Sequence, residues 1–212
     1  MRRINIVYYL SLSLLICSCV HQRFMTFPNL FKNHTLNSDI MISSAPSGVN
    51  ASSIGGSILI DEAKYKADVM TIRGDIIIKS FSGKINAEAI KGKVIINMAS
   101  ETSKYKSSGN ITAIGGDISL TIPQNNSMNI YIEMASTGYD NKYRIWSGLK
   151  FIDVLSTNNV WNSHGFYKKI ETKFYKSSGS NTLHIFAANG NVFINQLDTM
   201  NKEITAKEIT YE

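Results

Sequence analysis

The sequence predicts an all-β protein: a single-domain β-helix, a solenoid-like stack of short strands, with a β-sandwich or meander as the alternative. Three observations lead there. A five-residue unit that opens on glycine recurs seven times, at Gly56, Gly74, Gly83, Gly92, Gly109, Gly116 and Gly190. Within each unit the second and fourth residues after the glycine are apolar and the first is polar, as in Gly74-Asp75-Ile76-Ile77-Ile78. Gly74, Gly83 and Gly92 are nine residues apart, and Gly56 lies eighteen before Gly74. Period-two alternation marks a strand with one buried face. A glycine before a polar residue is turn chemistry. Nine- and eighteen-residue spacing suits a coil with two strands per turn, in which equivalent strands stack and their inward side chains form ladders. Hairpins at the same spacing would read alike.

Composition agrees. In 212 residues only 18% are charged and 3 are proline, which suits paired strands and excludes a disordered chain. No apolar run beyond the N-terminus is long enough to span a bilayer as a helix. Two cysteines do not make a disulfide scaffold.

The chain opens on an address. Met1-Arg2-Arg3 is a short cationic start, Ile4 to Ile16 is mostly apolar, and Ile16-Cys17-Ser18-Cys19 follows. A charged start, a short apolar core and a small residue before a cut point make a secretory signal. The cut resembles a bacterial lipobox, with Ile16 as the aliphatic residue, Ser18 as the small one and Cys19 as the lipidated one. Ile16 is too bulky to precede the cut, which disfavours Cys17. The expectation is a signal peptide over 1–18, lipidation of Cys19 and a tether over 19–37. The lipid anchor would hold the chain at the bacterial cell envelope, in the outer membrane if the host is Gram-negative, since Val20 rather than Asp follows the cysteine. Anchoring by more than one acyl chain is needed because each buried CH₂ contributes only ~0.8 kcal/mol. Cleavage would remove Arg2 and Arg3 and lower the net charge from +6 to +4. It would also leave no free thiol for catalysis.

Residues 38–212 are then the repeat domain, interrupted at 138–176. There the glycine-led unit disappears and nine aromatics gather, both tryptophans among them. Solenoid ends need caps, and large aromatics bury well, so this insertion reads first as a cap. The sharper reading is a ligand surface in which Tyr143, Trp146 and Trp161 offer flat apolar faces to a sugar or peptide. Towards the C-terminus, Glu203 to Ile209 reads as a last strand.

The repeats resemble the adhesin-like domain family of bacteria, proteins built as Gly-Asp-Ile repeat β-helices. Gly115-Gly116-Asp117-Ile118-Ser119-Leu120-Thr121-Ile122-Pro123 and Thr182 to Ile194 carry the resemblance. It covers roughly residues 45 to 135 and 180 to 195. It implies a β-helix and an adhesive or scaffolding role, and no catalytic residues.

Residue chemistry points the same way. There is no G-x-S-x-G, P-loop or H-E-x-x-H sequence, and His21, His34, His164 and His184 have no partners at metal-ligand spacing. Asp75, Asp117 and Asp153 are the acids that stacking might pair. Yet Asp75 and Asp117 occupy a turn position that elsewhere holds Ser, Lys or Asn, which marks a turn rather than an acid–base pair. Polycationic clusters suited to nucleic acid are lacking. The expectation is a non-enzymatic, envelope-anchored, adhesin-like lipoprotein with no cofactor and no metal, serving as scaffold or interaction surface. Its partners would be the membrane through its anchor, and a glycan or an envelope protein, with no nucleic acid. The alternatives are a carbohydrate-binding module using the insertion and a β-helical carbohydrate-active enzyme.

Overall fold

A computed structural model describes residues 31–99, 106–123, 126, 128–135, 145–148, 152–162, 165–175, 181–197 and 207–209, of which 31–32, 152–162, 165–175 and 207–209 by backbone alone. The fold is all-β, and its strands form one continuous, mostly parallel sheet wound into a solenoid.

Each turn of the coil contributes one strand to each of two faces. The glycine-led face is built from the strands that follow the repeat glycines. It comprises the strands of residues Ile40–Ile42 (β2), Ile58–Ile60 (β4), Ile76–Ala89 (β6, its first half), Val94–Met98 (β7), Ile118–Pro123 (β9), Val192–Leu197 (β15) and Ile145–Ser147 (β11). The opposite face comprises Phe31–Thr35 (β1), Val49–Ser53 (β3), Ala63–Thr71 (β5), the second half of β6, Ser108–Ile114 (β8), Thr182–Ala188 (β14) and Asn129–Ala135 (β10). β1 places residues 31–35 in the stack, ahead of the boundary expected at 38.

Parallel register aligns one inward residue per rung on the glycine-led face: Ile40, Ile58, Ile76, Val94, Ile118, Val192 and Ile145, rungs 1 to 7. All seven are buried, and so are Val49, Ala67, Ile85, Leu183 and Ile130 across the coil. Burying a Val or Ile side chain contributes roughly 1.5–3 kcal/mol, so every rung gains a similar amount from the same alternation. Small and branched residues mix inside the opposite face, where Ala51 and Ala87 share a buried column with Val69, Ile111 and Ile185. A short third side carries Ala45, Ala63, Phe81 and Met98 in register.

The first four rungs advance by eighteen residues, as the spacing predicts, and the next by twenty-four, since Val94 aligns with Ile118. The rung after that comes from far along the chain. β14 lies between β8 and β10, and β15 between β9 and β11, so residues 182–197 fill rung 6 while Asn129–Ala135 and Ile145–Ser147 form rung 7. Above rung 7 the pairing turns antiparallel. The strand Gly165–Tyr175 (β13) pairs with β10, Ile152–Asn162 (β12) pairs with β13, and Lys207–Ile209 (β16) pairs with β11. The aromatic insertion thus supplies one strand of rung 7, β11, and a hairpin that extends the opposite face beyond it.

The seven repeat glycines are not equivalent. Gly56, Gly74, Gly92, Gly116 and Gly190 form one corner column, whereas Gly83 and Gly109 lie within β6 and β8. A Cβ on Gly92 would sit 1.9 Å from the carbonyl oxygen of Gly74, and one on Gly190 would sit 1.9 Å from that of Gly116. No side chain fits there. The column therefore requires glycine for close approach, and Gly190 shows on which rung the late segment lands.

Corner hydroxyls and carboxylates tie rung to rung. Thr71 Oγ1 donates to the Gly56 carbonyl at 2.9 Å and accepts from the Gly74 amide at 3.1 Å. Asp39 Oδ1 accepts from the Ser57 amide at 2.7 Å, Asp75 Oδ1 from the Lys93 amide at 2.7 Å, and Asp117 Oδ1 from the Asn191 amide at 2.8 Å. Backbone donors that a bend would otherwise leave unpaired are satisfied in this way.

Candidate functional site

Because strand residues alternate, each inward ladder implies an outward one. On the glycine-led face the central outward column reads Met41, Leu59, Ile77, Ile95, Ser119, Phe193 and Trp146, rung by rung. Six of these seven are apolar although none faces the core. Met41 is 76% exposed, and Leu59, Ile77, Ile95, Phe193 and Trp146 are half-buried. A second apolar line runs along the neighbouring corner. Leu36, Ile54, Ile72, Ile90 and Ile114 follow one another there, at 71%, 40% and 39% exposure for Leu36, Ile54 and Ile114. Exposed single hydrophobes are ordinary, but contiguous lines of them mark interaction surfaces.

The central column is edged by polar residues. On one side, next to the glycine corner, stand Asp39, Ser57, Asp75, Lys93, Asp117 and Asn191. On the other stand Ser43, Asp61, Lys79, Asn97, Thr121 and Asn195. Within the second column Lys79 Nζ meets Asp61 at 2.8 Å, with both side chains about half exposed. Below it, Lys64 donates to Glu62 at 2.7 Å and holds that carboxyl below its ordinary range.

The residues singled out in the sequence do not converge on one place. Trp146 lies on β11 at the top of the apolar column, where its ring stacks on Phe193 with centroids 6.5 Å apart and planes 8° apart. One ring face is therefore turned to the rung below rather than presented to a ligand. Trp161 lies on β12, opposite Phe166 in the hairpin register, beyond the other face of the coil. The two tryptophans do not share a face. Tyr143 and Cys19 lie outside the described residues, as do the signal peptide and most of the tether.

Among the described side chains, Asp75 and Asp117 do not form an acid–base pair. Asp75 and Asp117 share a column, two rungs or about 10 Å apart, and each is engaged with the backbone of the rung above. Asp153 is on β12. His34 Nδ1 and Ser52 Oγ are 2.7 Å apart on the exterior of the opposite face. The residues aligned with them above are Met70 and Glu88, so register adds neither a third member beside the histidine nor an oxyanion donor set. Among the described residues no group of three His, Cys, Asp or Glu side chains could hold a metal ion.

Sequence reasoning missed the apolar column because it merged two registers. Residues at the third position after glycine look mixed when all seven units are pooled. Once Gly83 and Gly109 are set apart, the column reads Leu59, Ile77, Ile95, Ser119 and Phe193, and the polar Asn86 and Thr112 belong to the other face. The corner line has its own signal, Ile-x-Gly, at Ile54, Ile72, Ile90 and Ile114.

Comparison with family models, with curated proteins and with solved structures found no match for this chain.

Proposed function

We propose that this chain is a non-enzymatic, adhesin-like lipoprotein of the bacterial cell envelope whose solenoid serves as an interaction surface. The observation that carries the reading is the exterior column of the glycine-led face. Met41, Leu59, Ile77 and Ile95 point away from a core that already has its own ladder, so the core does not require them to be aliphatic. A surface that stays apolar over four successive rungs is suited to being covered. The carboxylates best placed for chemistry are occupied as corner caps, which favours binding over catalysis.

The anchor follows from the N-terminal residues alone. Cys19→Ala is expected to abolish fatty-acid labelling of the chain in cells and leave the precursor uncut. Labelling that persists in the variant would overturn the lipobox reading. The surface is tested by a photo-cross-linking phenylalanine analogue in place of Ile77, against the same analogue in place of Asn110 on the other face. Adducts are expected from position 77 alone. Equal adducts from both positions, or none, would overturn the choice of face.

A carbohydrate-binding role has one observation in its favour: two aromatic rings, Phe193 and Trp146, end the exterior column together. Their mutual stacking turns one face of each ring to the other and away from a sugar. A glycan array with the full chain, compared with its Trp146→Ala variant, tests it.

A further inference from the structure

We infer that the solenoid lies on the membrane of its anchor along the glycine corner, with Leu36, Ile54, Ile72, Ile90 and Ile114 entering the lipid surface and Arg73 and Lys91 meeting anionic headgroups. This rests on the lipid anchor of the proposed function and names the part of the fold that the membrane covers. Ile54, Ile72, Ile90 and Ile114 each stand two residues before a corner glycine, and Leu36 stands two before Ser38. The line therefore follows the edge where the opposite face bends into the glycine-led one. Leu36, Ile54 and Ile114 are exposed there, and Ile72 and Ile90 are half-buried. At about 4.8 Å per rung the line is roughly 19 Å long.

Charge separates this line from the apolar centre of the glycine-led face. Directly after it, at the tip of the corner, come Asn37, Gly55, Arg73, Lys91, Gly115 and, on rung 6, Asn189. Neither the line nor the tip holds an acid. Arg73 and Lys91 are exposed on successive rungs and make no ion pair among the described residues. Acids begin only in the flanking columns, at Asp39, Asp75 and Asp117 on one side and Glu88 on the other, where the two faces turn away from the tip. The apolar centre of the glycine-led face, by contrast, has those three aspartates along one flank and Asp61 along the other. An apolar edge tipped with cations fits an anionic lipid surface, and an apolar column lined by carboxylates does not.

Backbone chemistry separates the corner from the end of the stack. Among the described residues β1 and β2 each pair on one side only, so a coil standing on rung 1 would bring bare ladder groups against lipid. The corner is closed. The Gly55 amide donates to the Leu36 carbonyl at 2.8 Å, Ile72 to Ser53 at 3.1 Å, Ile90 to Thr71 at 3.1 Å and Lys91 to Ile72 at 2.8 Å. Groups paired from rung to rung in this way need no water to satisfy them.

The tether reaches. The twelve residues from Cys19 to Leu30 span at most roughly 40 Å when extended, and Leu36 follows on rung 1. The anchored end of the chain is thus the end at which the line begins. A coil resting on this corner holds both faces clear of the lipid, with the column from Met41 to Ile95 open sideways to a partner.

The test uses the chain expressed with its own signal, extracted from membranes and reconstituted through its anchor into phosphatidylcholine vesicles with and without phosphatidylglycerol. Ile54→Cys and Asn110→Cys are labelled with an environment-sensitive maleimide, and lipids carrying a headgroup nitroxide serve as quencher. On vesicles with phosphatidylglycerol, quenching at position 54 should exceed that at position 110 at least about threefold. Arg73→Glu with Lys91→Glu, added to the Ile54→Cys chain, should lower quenching on the anionic vesicles by about half or more while thermal unfolding stays unchanged. Equal quenching at positions 54 and 110 would overturn the orientation. Quenching that the charge reversal leaves intact would overturn the choice of an anionic surface. A wild-type chain that itself takes up the maleimide has a free thiol, which would overturn the anchor and the inference with it.

Discussion

The two faces of the coil have the same inside and different outsides. From rung 2 upward both bury aliphatic residues and alanine on alternate positions, in parallel register. Outside, the glycine-led face carries Met41, Leu59, Ile77 and Ile95, whereas the opposite face carries Asn50, Asp68, Asn86 and Asn110 at its equivalent centre, followed by His184 stacked on Tyr131 at 5.0 Å. Core formation constrains the inward half of each strand and is indifferent to the outward half. A systematic difference outside is therefore the part of the pattern that folding does not explain, and the part that reports on use.

The largest expected effect ignores the difference between faces, because it acts at the corner that joins them. Gly92→Ala puts a methyl group 1.9 Å from the Gly74 carbonyl oxygen, and the backbone of two rungs must part. A loss of roughly 4 kcal/mol or failure to fold is expected, read by circular dichroism during thermal unfolding. The next effect separates inside from outside. Ile118→Ala removes a fully buried ladder member and should cost about 2–5 kcal/mol. Ile95→Ala, one rung below and facing out, should cost less than about 1 kcal/mol. Equal losses in denaturant titrations would mean that the exterior column is core.

Third, the faces themselves are compared. Ile77→Glu should leave the unfolding temperature within a few degrees while abolishing the adducts formed by a photo-cross-linking analogue at the neighbouring Leu59. Asn86→Glu, at the equivalent place on the other face, should change neither. The smallest effect concerns acid. The carboxyl of Glu62 is held low by Lys64, so its ion pair is complete above the ordinary glutamate range and is lost as pH falls through the lowered value. The Glu62 side chain is 39% exposed, so Glu62→Gln should remove only a faint part of the acid sensitivity of unfolding, and a large part would contradict this open geometry.

Much of the stack is legible in the amino-acid sequence. Each glycine-led unit is a local object, since alternation over five residues and a turn at its start need no distant partner. The coil length follows wherever copies repeat at eighteen residues. Legibility ends where neighbours are chosen over distance. Gly83 and Gly109 look like corner glycines because they precede alternating strands. Only stacking shows Gly116 above Gly92 and puts Gly109 over Ile85, at φ +136°. Gly190 is recognisable as a copy, yet nothing local says that its rung sits on Gly116 and beneath residues 145–147. The candidate surface suffers the same way. Trp146 is visible as an aromatic, but its contact with Phe193 depends on that long-range insertion. The aliphatic column is hidden when two faces are pooled into one consensus.

That insertion also dictates an order of events. Rungs 1 to 5 join segments at most twenty-four residues apart, so they can close soon after each coil emerges. Rung 6 binds Asn191 to Asp117 across 74 residues. Rung 7 pairs on the parallel side with rung 6 alone, so it has no seat until residues 182–197 arrive. Loop closure over that distance is the slow step. A chain that emerges from its N-terminus would therefore hold a finished lower stack, with the open β8 and β9 edges and a waiting hairpin, until residues 182–197 slot in like a keystone. Truncation ahead of Thr182 would remove the middle of the upper structure rather than its end.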